Sequence, residues 1–155
     1  MIIELASVEN AEEILVLQKL AYSIEARLYP GIELPPLSET LQGLKANFKN
    51  HLFLKATVDS KIVGSVRAYR KDDTCYVGRL MVHPDFQNRG IAKQLLKEIE
   101  RMCTQCDRFE LFTGSRSKKN IHLYEKLGYK QFRTEKVEEN LSLIFFEKLK
   151  QPIHK

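Results

Sequence analysis

A polar loop in the middle of the chain carries residues suited to binding an anion. The apolar segment 76–82 ends at His83-Pro84, and the residues after Gly90 place apolar side chains at helical spacing. We therefore predict a strand, a turn and a helix N-terminus in succession. The first N–H groups of a helix have no partner inside it and lie at the positive end of its dipole. The loop is thus predicted to bind a phosphate-bearing cofactor through a pyrophosphate.

The loop and its flanks resemble the most recognisable motif of the GNAT superfamily of acyl-CoA-dependent N-acyltransferases. The match is Gln87-x-x-Gly90-x-Ala92, after a strand that ends in Val82-x-Pro. A single glycine-spaced loop arises easily by chance. A second family-like segment follows in the expected order, from Asn120 to Tyr129. Two ordered motifs indicate membership of the superfamily.

The resemblance implies acetyl-CoA as the cosubstrate and assigns the residues that contact it. The pantetheine arm is expected to pair with the strand before the loop as an added strand would. A backbone bulge near Leu80 is expected to aim an N–H at the thioester carbonyl. The expected cofactor contacts are Leu80, Met81, Val82, Gln87, Asn88, Arg89, Gly90, Ile91, Ala92, Lys93, Asn120 and Tyr124.

Two residues are predicted to take part in catalysis, Tyr124 through its hydroxyl and Leu80 through its backbone N–H. Asn120 and Tyr124 are four residues apart, so they face the same way on a helix. In the family this tyrosine commonly lies beside the sulfur, where a phenol with an ordinary pKa of about 10 can protonate the leaving thiolate. The cysteines match no family nucleophile, so we expect direct attack in a ternary complex.

The acceptor is predicted to be the primary amine of a small molecule or peptide. Its expected pocket residues are Glu25, Tyr29, Glu33, Arg67 and Tyr69. The amine must lose a proton before it attacks. Histone-acetylating relatives place a glutamate on the fourth strand, where this chain has Tyr76, so the base must be another group. Glu25, Glu33 or a bound water remain open, and His83 is less favoured.

The hydrophobic pattern predicts an α/β (α+β) fold in one domain over residues 1–155. Two strands flank a long helix and are therefore expected to pair in parallel. The resemblance implies a mixed, mostly antiparallel sheet of about seven strands, splayed where the fourth and fifth strands part, with about four helices. Strands are predicted at 1–6, 52–58, 62–70, 74–82, 109–113, 129–136 and 141–149, and helices at 7–28, from Ser38 to Phe48, at 91–103 and at 120–127.

Composition limits the alternatives. Of the 155 residues 43% are hydrophobic and 29% charged, which excludes a largely disordered chain. No apolar run is long enough for a signal peptide or membrane span, so we expect a cytoplasmic protein without a membrane partner. The net charge of +5 suits an acidic ligand such as coenzyme A. Nucleic acid also fits that charge but is not expected, because no nucleic-acid-reading motif accompanies it.

Three further inferences from the sequence concern metal binding, an alternative function and the oligomeric state. The pair Cys103-x-x-Cys106 has no second pair at ligand spacing, so no metal is expected. A non-catalytic acyl-CoA-binding or sensor module is the alternative to an enzyme. The sequence leaves the oligomeric state undetermined, with a homodimer among the possibilities.

Overall fold

The structure is a computed structural model that describes residues 1–150. Its strands are β1 (Ile2–Leu5), β2 (Leu52–Val58), β3 (Lys61–Lys71), β4 (Thr74–Val82), β5 (Arg108–Gly114), β6 (Lys130–Glu138) and β7 (Leu141–Leu149). Its helices are α1 (Ala11–Glu25), α2 (Pro35–Ser38), α3 (Leu41–Asn47), α4 (Ile91–Met102) and α5 (Lys118–Lys126). The strands form one sheet in the order β1-β2-β3-β4-β5-β7-β6. The expected mixed, mostly antiparallel architecture is confirmed.

The pairing of β4 with β5 is parallel and short. It joins Thr74–Tyr76 to Arg108–Glu110 and extends no further among the described residues. Beyond this point β4 pairs only with β3, and β5 pairs only with β7. The two strands therefore part in the middle of the sheet, as expected from the family resemblance.

Helices cover both faces of the sheet. On one face α4 buries Ile91, Leu95, Leu96 and Ile99 in the main core. Fully burying a side chain of this kind contributes about 1.5–3 kcal/mol, so this stripe fixes α4 on the sheet. On the other face α1 and α3 pack against Phe53, Ile62 and Met81 and complete a second core.

Gly64 on β3 sets the distance between α4 and the sheet. A Cβ at this position would lie 3.0 Å from Ile91 Cγ2 and 3.1 Å from Leu95 Cδ1. Any larger residue would force these side chains to shift by a few tenths of an ångström. The start of α4 is thus held close to the end of β4.

β4 contains the bulge expected near Leu80. Ser65 on β3 pairs with Met81 and Arg67 pairs with Gly78, so Arg79 and Leu80 lie opposite one β3 residue. Arg79 has a φ of 50°, in the left-handed region that non-glycine residues rarely adopt. The extra residue bends the strand locally and interrupts its regular pairing with β3.

The N-terminal helices differ from the prediction at their ends. The helix expected from Ser7 to Leu28 is α1 with a 3₁₀ turn on each side, Val8–Asn10 and Ala26–Leu28. The Ser7 N–H donates to Asn10 Oδ1 at 2.9 Å, and this local bond favours the tighter turn.

The loop between α1 and α3 also contains an unpredicted turn of helix. Pro35–Ser38 forms α2, with a proline at its first position, and α3 then begins after Thr40 instead of at Ser38. Proline suits the first turn because it lacks only an N–H that has no helical partner there. The count of five helices, against the expected four, follows from α2.

Thr40 is the N-cap of α3, since the Gly43 N–H donates to its Oγ1 at 3.0 Å. We predict that Thr40→Ala lowers the free energy of unfolding by about 1 kcal/mol, the usual cost of losing such a cap. Ser38→Ala is the matched control, because the Ser38 hydroxyl donates to Glu33 at the surface and caps no helix. It should cost less than about 0.5 kcal/mol. Urea unfolding measures both, and equal losses would contradict the assignment.

Candidate active site

Two cavities lie along β4 and meet at its bulge. The first, of about 710 Å³, opens between β4, β5 and the α1–α3 region. The second, of about 770 Å³, lies against the end of β4, the loop before α4, and α5. Both are lined by Tyr22, Glu25, Leu80, Ser117 and Asn120. A molecule in one cavity can therefore touch a molecule in the other at these residues.

The second cavity collects nearly all of the predicted cofactor residues. Arg89 and Tyr124 are the two that do not line it. Arg89 instead stacks on the Phe86 ring at 4.9 Å, and its guanidinium donates to the Asp85 carbonyl at 3.3 Å. The predicted residues that do line this cavity are Leu80, Met81, Val82, Gln87, Asn88, Gly90, Ile91, Ala92, Lys93 and Asn120.

The loop before α4 presents backbone N–H groups to this cavity. Asn88 has a φ of 63° and Gly90 a φ of 80°, so the chain turns sharply through left-handed conformations. The first intrahelical bond runs from the Gln94 N–H to the Gly90 carbonyl. The N–H groups of the three residues before Gln94 are therefore free of helical partners. The first turn of α4 holds no acidic residue, and this helix start favours a bound anion.

Basic side chains from three elements surround the same cavity. Lys93 was predicted from the motif, whereas the others come from segments outside it. The lining cations are Arg27, Lys93, Arg116, Lys118 and Lys119. A phosphorylated ligand would thus meet both helix-start amides and charged side chains.

The first cavity contains all five of the predicted acceptor residues. Tyr29 is 2% exposed, and its hydroxyl lies 2.7 Å from Ser117 Oγ, so that hydroxyl is already bonded within the protein. Tyr69 stacks on Tyr76 with ring centroids 5.1 Å apart, which gives one wall an aromatic surface. Glu25 reaches the junction of the cavities and accepts a hydrogen bond from the Ser117 hydroxyl.

Arg67 belongs to a buried polar network at the base of the first cavity. It donates to both carboxylate oxygens of Glu39 and, at 3.1 Å, to Gln18 Oε1. Gln18 in turn donates to Glu39 at 2.8 Å and to the Pro36 carbonyl at 2.9 Å. Burial alone would raise the pKa of the Glu39 carboxyl, but the hydrogen bonds from Arg67 and Gln18 lower that pKa to about 2. Glu39 is therefore ionised at neutral pH.

Arg79 lines the first cavity, and its charge and N–H groups have few partners within the protein. Its Nε is buried and makes no hydrogen bond within residues 1–150. Its contact with Glu39 Oε1 is long, at 3.8 Å, and Glu39 is already bonded to Arg67. Burial lowers the pKa of Arg79, and the positive charge of Arg67 lowers it further. A half-buried guanidinium whose Nε lacks a hydrogen-bond partner gains from an anionic partner.

Two tyrosines lie near the junction of the cavities. Burial raises the pKa of Tyr22 and of Tyr124, and the negative charge of Glu25 contributes in the same direction for both. Each phenol therefore keeps its proton at neutral pH. Tyr124 packs against Tyr129 and Phe146 and lines the first cavity. Asn120 donates to Thr113 Oγ1 at 3.2 Å, which fixes its side chain beside the same junction.

Several lining residues were not identified from the sequence. Tyr22 lies one turn before Glu25 on α1, and that spacing could have indicated it once Glu25 was chosen. Glu39 could not be found, because its role depends on contacts between separate elements. Arg79 was overlooked because nothing in a strand sequence marks the position of a bulge.

Comparisons with known proteins agree with this geometry. Residues 35–150 match the family model described as an acetyltransferase (GNAT) domain. Acetyltransferase ECA0875 of Pectobacterium atrosepticum is 37% identical over 90 residues, which cover 55% of this chain and 62% of that protein. The UPF0157 protein YqkA of Bacillus subtilis is 26% identical over 136 residues, covering 88% of this chain and 39% of that protein.

A solved structure gives the same fold. The PaiA N-acetyltransferase of Thermoplasma acidophilum, in complex with coenzyme A, superposes with a TM-score of 0.77 at 21% identity, covering 97% of this chain and 100% of that one. Together with the family match, this shows that the chain belongs to the GNAT acetyltransferase family. The chain spans 39% and 62% of the two curated relatives. None of the helices within residues 1–150 has the length and apolar character needed to cross a membrane.

The ionised Glu39 should make stability depend on pH in a predictable direction. Its pKa in the folded protein is about 2, below the ordinary 4.5, so its stabilising contribution is fully present above pH 4.5 and is lost as pH falls toward 2. We predict that Glu39→Gln lowers the free energy of unfolding by about 3 kcal/mol at neutral pH, because Arg67 then lacks its anion.

Denaturant unfolding of both proteins between pH 7 and pH 3 measures this effect. The difference in the free energy of unfolding between wild type and Glu39→Gln should be constant from pH 7 to about pH 5 and should decrease below pH 5. The exposed Glu139, which pairs with Lys136 at the surface, offers Glu139→Gln as the control with little effect. A difference in the free energy of unfolding that did not change with pH would contradict the lowered pKa of Glu39.

Proposed function

We propose that this protein transfers the acetyl group of acetyl-CoA to the primary amine of a small molecule or peptide. The observation that carries the proposal is the meeting of two cavities at the β4 bulge. One cavity has the amides and cations that a phosphorylated cosubstrate requires, and the other has carboxylates and aromatic side chains that suit an amine. The reacting atoms would meet at the residues that line both.

The cofactor would lie in the second cavity in an extended form. Its pyrophosphate would accept hydrogen bonds from the N–H groups at the start of α4, with Lys93 adding charge. Its pantetheine amides would pair with the unpaired edge of β4 at Leu80, Met81 and Val82, as a short added strand. Lys118 and Lys119 are available to the ribose phosphate at the rim. The PaiA structure in complex with coenzyme A supports this choice of cofactor.

The chemical step would be direct attack of the amine on the thioester carbonyl. The new N–C bond forms, and the C–S bond then breaks to release the coenzyme as a thiolate. The negative charge that develops on the carbonyl oxygen would be stabilised by the N–H of Leu80 in the bulge. A donor of this kind typically lowers the activation free energy by about 3 kcal/mol.

Two proton transfers accompany this step, and two residues that line the first cavity fit them. Glu25 lines both cavities, whereas Glu33 lines only the first, so Glu25 is the carboxylate better placed to accept the proton of the amine. Tyr124 holds its proton at neutral pH and would donate it to the leaving thiolate. Tyr29, Ser117 and Glu25 form one hydrogen-bonded chain next to the proposed base.

The charges of the first cavity favour an acceptor that carries a carboxylate as well as an amine. Most of the buried carboxylates there already have partners: Glu39 is bonded to Arg67, and Glu110 to Arg108. Arg79 has a buried Nε without a hydrogen-bond partner within residues 1–150. Because Arg79 adjoins Leu80 on the bulge, a carboxylate bound to Arg79 would hold a nearby amine close to the thioester.

The proposal is tested by turnover. Purified protein with acetyl-CoA and a panel of polyamines, amino acids and peptide N-termini should release free coenzyme A above the hydrolysis background, with an acetylated amine as the second product. Calorimetry with acetyl-CoA measures binding separately. Tight binding without turnover on any amine would favour the alternative, a non-catalytic acyl-CoA sensor, and absence of binding would refute both.

The proton-transfer roles predict specific losses of rate. Tyr124→Phe keeps the packing on Phe146 and removes only the hydroxyl, so kcat should fall by about 10²-fold while acetyl-CoA affinity changes little. Glu25→Gln should also lower kcat by about 10²-fold, because the base is then missing. Both are measured by steady-state release of coenzyme A.

Glu33→Gln is the matched control for Glu25→Gln, because Glu33 lines only the first cavity. It should lose less than about tenfold in kcat and in kcat/KM. Equal effects of the two substitutions would remove Glu25 as the base. An unchanged kcat in Tyr124→Phe would remove the tyrosine as the acid.

The Arg79 assignment predicts a preference between matched acceptors. Wild type should acetylate an amino acid at least about tenfold faster in kcat/KM than the corresponding amino-acid amide, compared per neutral amine. Arg79→Gln should remove that preference while still using the amide. Arg70→Gln is the control, since Arg70 is on the same sheet but is exposed and bonded to Gln105 outside both cavities. Faster transfer to the amide by wild type would refute the carboxylate role without refuting acetyl transfer.

A further inference from the structure

The three cysteines of the chain lie together, away from both cavities. Cys75 is at the start of β4, Cys103 immediately follows α4, and Cys106 is in the turn that leads to β5. Their Sγ atoms all lie within 4.8 Å of one another. Three segments of the fold therefore bring every thiol of the chain to one point.

Ordinary core packing does not account for this grouping. A buried cysteine behaves as a small apolar residue, and cysteine is among the most buried residue types. Packing of that kind accounts for the burial of Cys75 and of Cys106 separately, since both are nearly inaccessible to solvent. It gives no reason for sulfur to adjoin sulfur, because valine or alanine would fill the same space. The convergence of all three instead indicates a role that uses the sulfur atoms jointly.

We propose that Cys75, Cys103 and Cys106 form a binding site for one soft metal ion such as Zn²⁺, Cd²⁺ or Cu⁺. Cys103-x-x-Cys106 spans a turn, and this spacing is a common one for two thiolate ligands of a single ion. Cys75 adds a third sulfur from the neighbouring strand. A donor set of sulfur alone selects these ions over Mg²⁺ or Ca²⁺, which prefer oxygen.

The distances require only a small rearrangement. A tetrahedral ion at about 2.3 Å from each sulfur holds the sulfurs about 3.8 Å apart. The Sγ atoms of Cys75 and Cys103 are 2.7 Å apart, so this pair must separate by about 1 Å. Cys103 can move because it lies beyond the last turn of α4 and is only half-buried. Its exposed side also provides the path of entry and leaves the fourth position to water or an external thiol.

A nearby cation suits the charge of the loaded site. Three thiolates and one divalent ion carry a net charge of −1. Lys150 Nζ donates to the Cys103 carbonyl at 3.3 Å and to the Thr104 carbonyl at 3.1 Å, which places its ammonium beside the turn. The ammonium would offset the excess negative charge and would hold the turn in the ligating conformation.

Metal titration of the full-length protein tests the proposal. The protein is reduced with a phosphine, freed of metal with a chelator, and titrated with Co²⁺ and separately with Cd²⁺. We expect one ion per chain, with the near-ultraviolet sulfur-to-metal charge-transfer absorption that thiolate ligands give. Cd²⁺ should also raise the melting temperature of the wild type.

Variants decide whether the three sulfurs are the ligands. Cys103→Ser is the main test, because this half-exposed position should tolerate the change, and its fold is verified by circular dichroism without metal. It should lose the charge-transfer absorption and bind Cd²⁺ at least about tenfold more weakly. Thr104→Ala, in the same turn but with every thiol retained, should bind as wild type does.

Three results would overturn the proposal. The first is the absence of charge-transfer absorption in reduced wild type with either ion. The second is undiminished binding in Cys103→Ser. The third is a Cys75–Cys103 disulfide found by peptide mapping in protein isolated with its free thiols blocked, since that would identify an oxidised pair and not a ligand set.

Discussion

The early end of the β4–β5 pairing is the constraint on which the site depends. Parallel bonding stops at Tyr76 and Glu110, although both strands continue beyond those residues. Each strand remains bonded on its other side, so the sheet stays intact while two facing edges are left open. Unpaired backbone groups at such an edge must be satisfied by water or by a ligand, at a cost of about 1–3 kcal/mol for each one left buried without a partner. The backbone groups along this gap can therefore hydrogen-bond to a ligand that carries amides.

The β4 bulge lies within this gap and holds a backbone conformation that has a cost. A non-glycine residue with φ near that of Arg79 is disfavoured by about 1–2 kcal/mol. The surrounding structure maintains it, because Ser65 and Arg67 on β3 stay paired on both sides of the extra residue. One result is an irregular backbone at Leu80, and another is that the Arg79 side chain lines the first cavity. The same local distortion thus serves the proposed oxyanion contact and the proposed acceptor contact.

The sequence was sufficient for the parts of the fold that depend on local pattern. Alternating apolar residues indicated the strands, and the parallel pairing around α4 followed from a strand, a helix and a strand in order. The family resemblance supplied the splay and the bulge, which no periodicity encodes. The predicted ends of the N-terminal helices were wrong because local hydrogen bonds set the true ends. Asn10 Oδ1 accepts from the Ser7 N–H, and Thr40 caps α3. Chemically similar polar residues stand at several nearby positions, so the sequence alone does not tell which of them makes the capping bond.

Most cavity-lining residues that the sequence predicted were indicated by a motif or by the family resemblance. The motifs indicated the loop before α4 and the residues on α5, and the five predicted acceptor residues also line the first cavity. The Glu39–Arg67–Gln18 network and the cysteine cluster were not predicted, because each joins elements far apart in the chain. Cys75 and Cys103, for example, are 28 positions apart and approach only because α4 returns the chain to the start of β4. Contacts of this kind depend on register and packing angle, and a single sequence does not specify either.

The charges of the two cavities would also keep the two proposed substrates apart. Five cations line the second cavity, and carboxylates such as Glu25 and Glu33 line the first. Phosphates are attracted to the second cavity and repelled from the first, while an ammonium group has the opposite preference. In partly buried cavities salt screens these forces less than it does at an open surface. The ammonium group of the acceptor would therefore be attracted to Glu25 at the junction, where loss of a proton would convert it to the nucleophile. Such an arrangement would allow direct attack in a ternary complex, without a covalent intermediate on the protein.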